Sequence, residues 1–173
     1  MAGILVLGID PGTRESAFYF LDAGQPTPKH GVESNDVVLA LLSDLSKLIH
    51  IGIEKRQEGV SPFVRLAIES TQNYGAVVGK DVRETIEWTG RFKQRAFDSG
   101  FSEENVRTYA RPSIKAFLVG TAASKDSDVK AALEQRYGLS RKGQPLEGVT
   151  KHQWAALAVA TFCWDGLLLG NKW

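Results

Sequence analysis

The sequence has few of the residues that build disulfide frameworks, zinc sites or membrane spans. It contains one cysteine, Cys163, and three histidines that are not paired at the spacing of zinc ligands. No apolar run reaches the roughly 20 residues that cross a bilayer, and the N-terminus lacks the basic segment and cleavage site of a secretory signal. We therefore expect a cytoplasmic protein with a single domain over residues 1–173, in which Cys163 packs in the core.

The net charge is also small, at +1, but it is unevenly distributed along the chain. Residues 1–104 carry 11 Lys and Arg against 15 Asp and Glu, whereas residues 105–173 carry 10 against 5. A basic C-terminal half is typical of proteins that bind a polyanion, and ordinary variation in surface charge is the alternative interpretation.

The pattern of apolar runs predicts a mixed α/β fold. Two strands joined by the turn "DPGTRE" predict an antiparallel hairpin, and a helix, a strand, a helix, a strand and three helices follow a short third strand. The predicted elements cover residues 4–9, 16–21, 31–33, 37–56, 63–70, 77–98, 105–110, 112–118, 121–138 and 151–169. This order predicts a mixed five-stranded sheet flanked by helices, in which the hairpin precedes a parallel βαβα section.

Two carboxylates stand where predicted core strands end. Asp10 ends "ILVLGID" and Glu69 lies near the end of "FVRLAIES". A desolvated, unpaired carboxylate costs several kcal/mol, and two neighbouring acids raise each other's pKa unless a cation lies between them. If the strands are neighbours, the pair predicts a divalent-cation site with oxygen ligands. The alternative is that Asp10 is a turn residue whose carboxylate accepts hydrogen bonds from the amides after Pro11.

Four segments together resemble one protein family. "LGIDPGTRESAFYFL", "LAIES", "YARPSIKAFLVGTAASKDSDVKAAL" and "HQWAALAVA" are similar, in order and interval, to the RuvC family of Holliday-junction resolvases, members of the RNase H-like superfamily. The resemblance implies an RNase H-like sheet and a homodimeric nuclease that resolves four-way DNA junctions by paired nicks. It also implies two Mg²⁺ or Mn²⁺ ions per active site, branched DNA as partner, and no membrane or small-molecule cofactor.

The resemblance assigns roles to four positions. Asp10 matches the acid that bridges the two metal ions, Glu69 matches the ligand of one ion, and His152 matches the first ligand of the last helix. The family's final aspartate falls on Ala155, which cannot bind a metal. Without the resemblance, a surface or capping role is the more frequent one for a lone histidine near a helix start, as His152 is.

Ala155 has three explanations. The chain is an engineered inactive form, or a natural protein that binds junctions without cutting them, or a natural variant completed by another acid. We favour the first, because the alanine lies inside an otherwise intact motif. The acids nearest in sequence that serve the third explanation are Asp126, Asp128 and Asp165.

The same resemblance suggests which residues contact DNA. An aromatic side chain that stacks on bases follows the second acid in the family; here Gln72 lies nearest that position and Tyr74 two residues further on. Tyr74 is equally interpreted as a packing residue. Each cation taken singly is more often a solvated surface charge. The candidate phosphate contacts are Arg111, Lys115, Lys125, Arg14, Lys80 and Arg83.

The long helix over residues 77–98 is the candidate dimer surface. Trp88, Phe92 and Phe97 give it more aromatic area than one core face requires, and a four-way junction calls for a two-fold dimer. Packing of these aromatics on the sheet is the alternative.

Three other functions compete with the resolvase. "GIDPGT" also resembles the first phosphate loop of actin-like and sugar-kinase ATPases, which bind ATP between two such domains, whereas this chain has room for one. A junction-binding protein without nuclease activity is the second. A related nuclease acting on RNA/DNA hybrids or on other branched DNA is the third.

Overall fold

A mixed five-stranded sheet with helices on both faces organises the chain, which confirms the predicted fold class. The computed structural model describes residues 4–56, 63–71 and 79–170. The strands are β1 (Ile4–Asp10), β2 (Glu15–Asp22), β3 (Gln25–Ser34), β4 (Phe63–Ser70) and β5 (Val106–Ala110). The helices are α1 (Asn35–Arg56), α2 (Lys80–Asp98), α3 (Arg111–Val119), α4 (Asp126–Tyr137) and α5 (Lys151–Leu168), with a 3-10 turn at Glu103–Asn105.

The sheet combines an antiparallel half with a parallel half. Its strand order is β3-β2-β1-β4-β5. β1 pairs antiparallel with β2, and β2 with β3, as the predicted hairpin requires. β1 and β4 pair in parallel, as do β4 and β5. The carboxyl ends of these three parallel strands therefore lie at one edge of the sheet.

Strand alternation divides the interior into two cores, one on each face of the sheet. On β1, Val6 faces the core built with α3, α4 and α5, whereas Leu7 and Ile9 face the core built with α1 and α2. All three side chains are 0% exposed. β1 is buried on both faces and so reads as a continuous apolar run.

Helix α5 packs against β1 at very short range. Its sequence is apolar on nearly all sides, and most of its residues are buried. A Cβ added to Gly8 would lie 2.1 Å from the carbonyl oxygen of Ala156 and 2.8 Å from the Cβ of Ala160. Glycine on the strand and alanines on the helix therefore allow this approach, which brings the start of α5 to the end of β1.

Cys163 lies in this same core and is 3% exposed, which confirms the prediction that it packs in the interior.

Strand β3 is much longer than the prediction of residues 31–33. It spans ten residues and contains Pro26 and Pro28, although proline has no amide hydrogen to donate to a neighbouring strand. The prolines are tolerated because β3 is an edge strand with one unpaired side.

The aromatic residues of α2 pack within their own chain. Phe92 is 0% exposed, and Trp88 and Phe97 are partly buried against the same core. This agrees with the alternative that they pack on the sheet. Helix α2 begins at Lys80; the first residues of its predicted span, from residue 77, lie outside the described residues.

Across residues 4–56, 63–71 and 79–170, no helix combines the length and apolar character needed to cross a bilayer.

Candidate active site

Two carboxylates meet at the edge where the parallel strands end. In the parallel register Ile9 pairs with Ile68, so the next residues, Asp10 and Glu69, follow side by side on neighbouring strands. Each carboxylate side chain is only 11% exposed. Both line a cleft of about 970 Å³ that α3, α4, α5 and the loop after β1 enclose. The strand-end acids therefore share one partly buried site.

Burial makes ionisation of both acids unfavourable. Burial raises the pKa of Asp10 above its ordinary value, against the opposing hydrogen bond to His152. Burial, and next the charge of Asp10, raise the pKa of Glu69 to about 7 in spite of the neighbouring Arg111. At neutral pH, Glu69 is therefore poised between its neutral and ionised forms, and added positive charge would favour the ionised one.

A buried polar network holds the loop after Asp10. Ser16 and Asn35 are 1% and 2% exposed, and the Ser16 hydroxyl donates to Asn35 Oδ1 at 2.6 Å. The Gly12 amide donates to Ser16 Oγ at 3.1 Å, and Asn35 Nδ2 donates to the Gly12 carbonyl at 3.1 Å. The amide of Asn35 donates to the carbonyl of Arg14 at 3.0 Å. Side chains other than Asp10 thus satisfy the amide and the carbonyl of Gly12.

His152 reaches Asp10 from the first turn of α5. Thr150 is the N-cap, and its amide donates to Gln153 Oε1 at 2.7 Å. The Nδ1 atom of His152 lies 3.0 Å from Asp10 Oδ2, and the imidazole is 73% exposed. Ala155 lies one helical turn further on and lines the same cleft. The three residues predicted to act together, Asp10, Glu69 and His152, therefore line one cleft.

Arg111 links Glu69 to Asp126. Its Nη1 donates to Glu69 Oε1 at 2.6 Å, and its Nη2 donates to Asp126 Oδ2 at 2.8 Å. Lys115 Nζ lies 3.0 Å from Asp126 Oδ1 and donates to the Ser124 carbonyl at 2.8 Å. Although burial disfavours its charge, Glu69 and Asp126 raise the pKa of Arg111. Hydrogen bonds from Arg111 and Lys115 lower the pKa of Asp126.

The donor chemistry of the site suits a hard divalent cation, although its ligands are not gathered. Asp10 and Glu69 supply oxygen atoms; burial disfavours the ionised form of each, and the charge of Asp10 further disfavours that of Glu69, so a cation between them would favour both carboxylates. Among the described residues, however, no group of three His, Cys, Asp or Glu side chains is arranged to hold a metal ion. Glu69 is paired with Arg111 instead.

Of the three acids considered as replacements for the missing aspartate, only Asp126 lines the cleft. Asp128 accepts the Lys125 amide at 2.7 Å at the start of α4. Asp165 forms a two-pronged ion pair with Arg136.

The candidate DNA contacts divide between the cleft and other surfaces. Arg14, Arg111 and Lys115 line the cleft, whereas the exposed residues Lys80, Arg83 and Lys125 lie outside its lining. Gln72 and Tyr74 fall outside the described residues. Their proposed roles in DNA binding stay predictions.

Three residues that line the cleft were not singled out from the sequence: Lys130, Lys151 and Trp154. Lys130 Nζ lies 5.4 Å from the ring centroid of Trp154, which is 8% exposed. The spacing of Lys130, four residues after Asp126 on one helix face, was the available signal. Lys151 directly precedes His152.

Comparison with solved structures identifies the architecture. The Thermus thermophilus RuvC structure matches 97% of this chain and 98% of its own length, with a TM-score of 0.64 and 17% sequence identity. The fold is that of RuvC. T. thermophilus RuvC in complex with a Holliday junction substrate matches 95% of this chain and 96% of its own, again with a TM-score of 0.64 and 17% identity.

The RuvC-like fold confirms the predicted resemblance and the RNase H-like sheet, while an identity of 17% shows the fold alone. By sequence, the chain matches no protein-family model and no curated protein.

Proposed function

We propose that this chain is a RuvC-like endonuclease domain that binds four-way DNA junctions and, when its cation site is complete, cuts them by paired nicks. The observation that carries the proposal is the pair of strand-end carboxylates, Asp10 and Glu69, facing the same cleft as His152. The fold supports it, since one of the matching structures is a RuvC bound to a Holliday junction substrate.

Asp10 and Glu69 would hold the divalent cation, with His152 as a further ligand or as a proton carrier beside it. Mg²⁺ or Mn²⁺, two ions in the complete site, would supply an activated water and neutralise the departing 3′ oxygen. Ala155 supplies no donor, so we expect weaker cation binding than four ligands would give.

The chain's own residues orient the reacting groups. When Asp10 is ionised, it accepts a hydrogen bond from Nδ1–H of His152 across 3.0 Å, which leaves Nε2 as the basic nitrogen of the neutral ring. An exposed imidazole held in this way can accept a proton from water or donate one to the leaving oxygen.

The basic residues of the cleft would contact the DNA backbone. Arg14, Lys130 and Lys151 line the cleft beside the carboxylates. Their charges would bind phosphates without reading sequence, so affinity should fall steeply as salt concentration rises. A homodimer would place two such clefts in the two-fold arrangement that paired nicks require.

The decisive experiment compares the unaltered chain with three variants on a synthetic four-way junction in the presence of Mg²⁺. Ala155→Asp should increase paired symmetric nicking, whereas Asp10→Asn and Glu69→Gln in that background should abolish it. Binding in EDTA should change little in all of them. Competition with fork and RNA/DNA hybrid substrates separates the resolvase from the related nuclease. Equal activity of the Asp10→Asn variant would contradict the proposal.

A junction-binding protein that does not cut is the second candidate. Ala155, in place of the acid that the family resemblance requires, favours it. The same assay decides: tight junction binding, with no nicking by the Ala155→Asp variant at any Mg²⁺ or Mn²⁺ concentration, supports the binder.

A further inference from the structure

Within the described residues, Glu69 has one cationic partner, and that partner is shared. Arg111 contacts Glu69 through Nη1 at 2.6 Å and Asp126 through Nη2 at 2.8 Å. Because separate nitrogens make the two contacts, Arg111 can release one carboxylate and keep the other. Glu69 belongs to β4 and Asp126 to the first turn of α4. The guanidinium therefore bridges a strand-end acid and a helix-start acid across the cleft.

Arg111 and a divalent cation compete for the same carboxylate. Arg111 already neutralises Glu69, and two positive charges within a few ångströms repel each other. If Glu69 were the only partner of the half-buried Arg111, its release would leave an uncompensated charge. Asp126 removes that penalty, since it remains paired with Arg111 after Glu69 is released.

Asp126 is held in place for this role by Lys115. Lys115 is 17% exposed, and its ammonium both pairs with Asp126 Oδ1 at 3.0 Å and donates to the Ser124 carbonyl. The two oxygens of Asp126 are thus occupied by two cations. This arrangement argues against Asp126 as a direct ligand that replaces the acid missing at Ala155.

We propose that Asp126 is a positioning residue that receives Arg111 when a divalent cation binds Asp10 and Glu69. Arg111 acts as an internal counter-cation that neutralises Glu69 before a cation binds. The inference rests on the proposed function, because it requires that Asp10 and Glu69 bind a divalent cation.

A double-mutant cycle on Mn²⁺ binding tests the inference without any DNA or cutting. Mn²⁺ affinity is measured by electron paramagnetic resonance for the unaltered chain, Arg111→Met, Asp126→Asn and the double variant. Coupling between contacting charged residues changes affinity by about tenfold. Arg111→Met should therefore bind Mn²⁺ about tenfold more tightly, and Asp126→Asn about tenfold less tightly. In the Arg111→Met background, Asp126→Asn should change affinity less than about threefold.

Asp128→Asn is the matched control. It removes the same charge from the same helix turn, but Asp128 bonds the Lys125 amide rather than Arg111. The Mn²⁺ affinity of Asp128→Asn should stay within about twofold of that of the unaltered chain. Arg111→Gln repeats the measurement with a polar side chain, so that a folding defect of Arg111→Met does not decide the result.

Two outcomes overturn the inference alone. If Asp126→Asn weakens Mn²⁺ binding equally in both backgrounds, Asp126 acts as a ligand or as a simple attractive charge. If both Arg111 variants are folded by circular dichroism but bind Mn²⁺ no more tightly than the unaltered chain, Arg111 does not compete with the ion. If neither the unaltered chain nor the Arg111 variants bind any Mn²⁺ that Asp10→Asn removes, the cation site of the proposed function fails as well.

Discussion

Replacement of Gly8 by alanine should separate α5 from the sheet and destabilise the protein. A Cβ at this position would lie 2.1 Å from Ala156 O, 2.8 Å from Ala160 Cβ and 3.0 Å from Ala160 N. The first and last of these atoms belong to the backbone of a buried helix, so no side-chain rotation relieves the overlap. Helix α5 would have to move by about 1 Å away from β1, since the shortest ordinary carbon contacts are about 3.5 Å.

The magnitude follows from two opposing effects. Overpacking of a core costs about 1–3 kcal/mol, and contact with backbone atoms puts this site at the upper end. Replacing glycine also reduces the entropy of the unfolded chain, which returns about 0.4–1 kcal/mol. We expect a net loss of about 2 kcal/mol or more in the free energy of unfolding, and a melting temperature lower by roughly 4–8 °C.

Urea unfolding followed by circular dichroism measures the change, and Gly90→Ala is the matched control. Gly90 lies inside α2, and a Cβ there would have nothing within 4 Å. The control should stabilise the protein by about 1 kcal/mol, because alanine is the better helix former. A Gly8→Ala variant as stable as the unaltered chain, or a change of stability in the same direction in both variants, would refute this close approach of α5.

Four further predictions address charge and burial. Because burial and then Asp10 raise the pKa of Glu69 to about 7, the melting-temperature increase caused by Mn²⁺ should grow between pH 6 and 8 as Glu69 loses its proton; a pH-independent increase contradicts the assignment. Burial raises the pKa of the Cys163 thiol, so Ellman's reagent should label the native protein at least ~1,000-fold more slowly than in urea, and rapid native labelling would be inconsistent with the core. Burial raises the pKa of Tyr19 to about 12, above its ordinary value, so stability present below pH 10 should be lost towards pH 12; Tyr19→Phe should reduce this loss by about 2 kcal/mol, and an unchanged pH profile would show that Tyr19 is not responsible. Ala155→Asp should lower the free energy of unfolding in EDTA and restore it with Mn²⁺, whereas equal stability in EDTA would count against the crowding of acids in the cleft.

The sequence predicted the elements whose local signals agree with their tertiary surroundings. β1 and β4 are buried on both faces and therefore read as unbroken apolar runs. Thr150 is a typical N-cap residue and directly precedes α5, and Gly138 is a typical helix-ending residue and directly follows α4. The strand-end position of Asp10 and Glu69 was visible for the same reason. Because parallel strands bring their carboxyl ends together, these two positions alone predicted that the acids lie side by side.

Other features depend on contacts that no local pattern contains. The prolines of β3 are compatible with a strand because β3 is an edge strand, which has a neighbour on one side only. The pairing of Arg111 with both Glu69 and Asp126 joins residues that are 42 and 15 positions apart. Gly8 reads as one more small residue in an apolar run, although the approach of α5 depends on it.

The cleft is close to charge balance without a cation, and Ala155 contributes to that balance. Arg111 and Lys115 offset Glu69 and Asp126, and the carboxylate of Asp10 pairs with His152. An aspartate at position 155 would add a negative charge to a cleft in which burial already disfavours ionised acids. This negative charge would strengthen cation binding, and the same charge would lower the stability of the protein when no cation is bound. Loss of this acid should therefore reduce cation affinity and increase cation-free stability together, whether the alanine is natural or engineered.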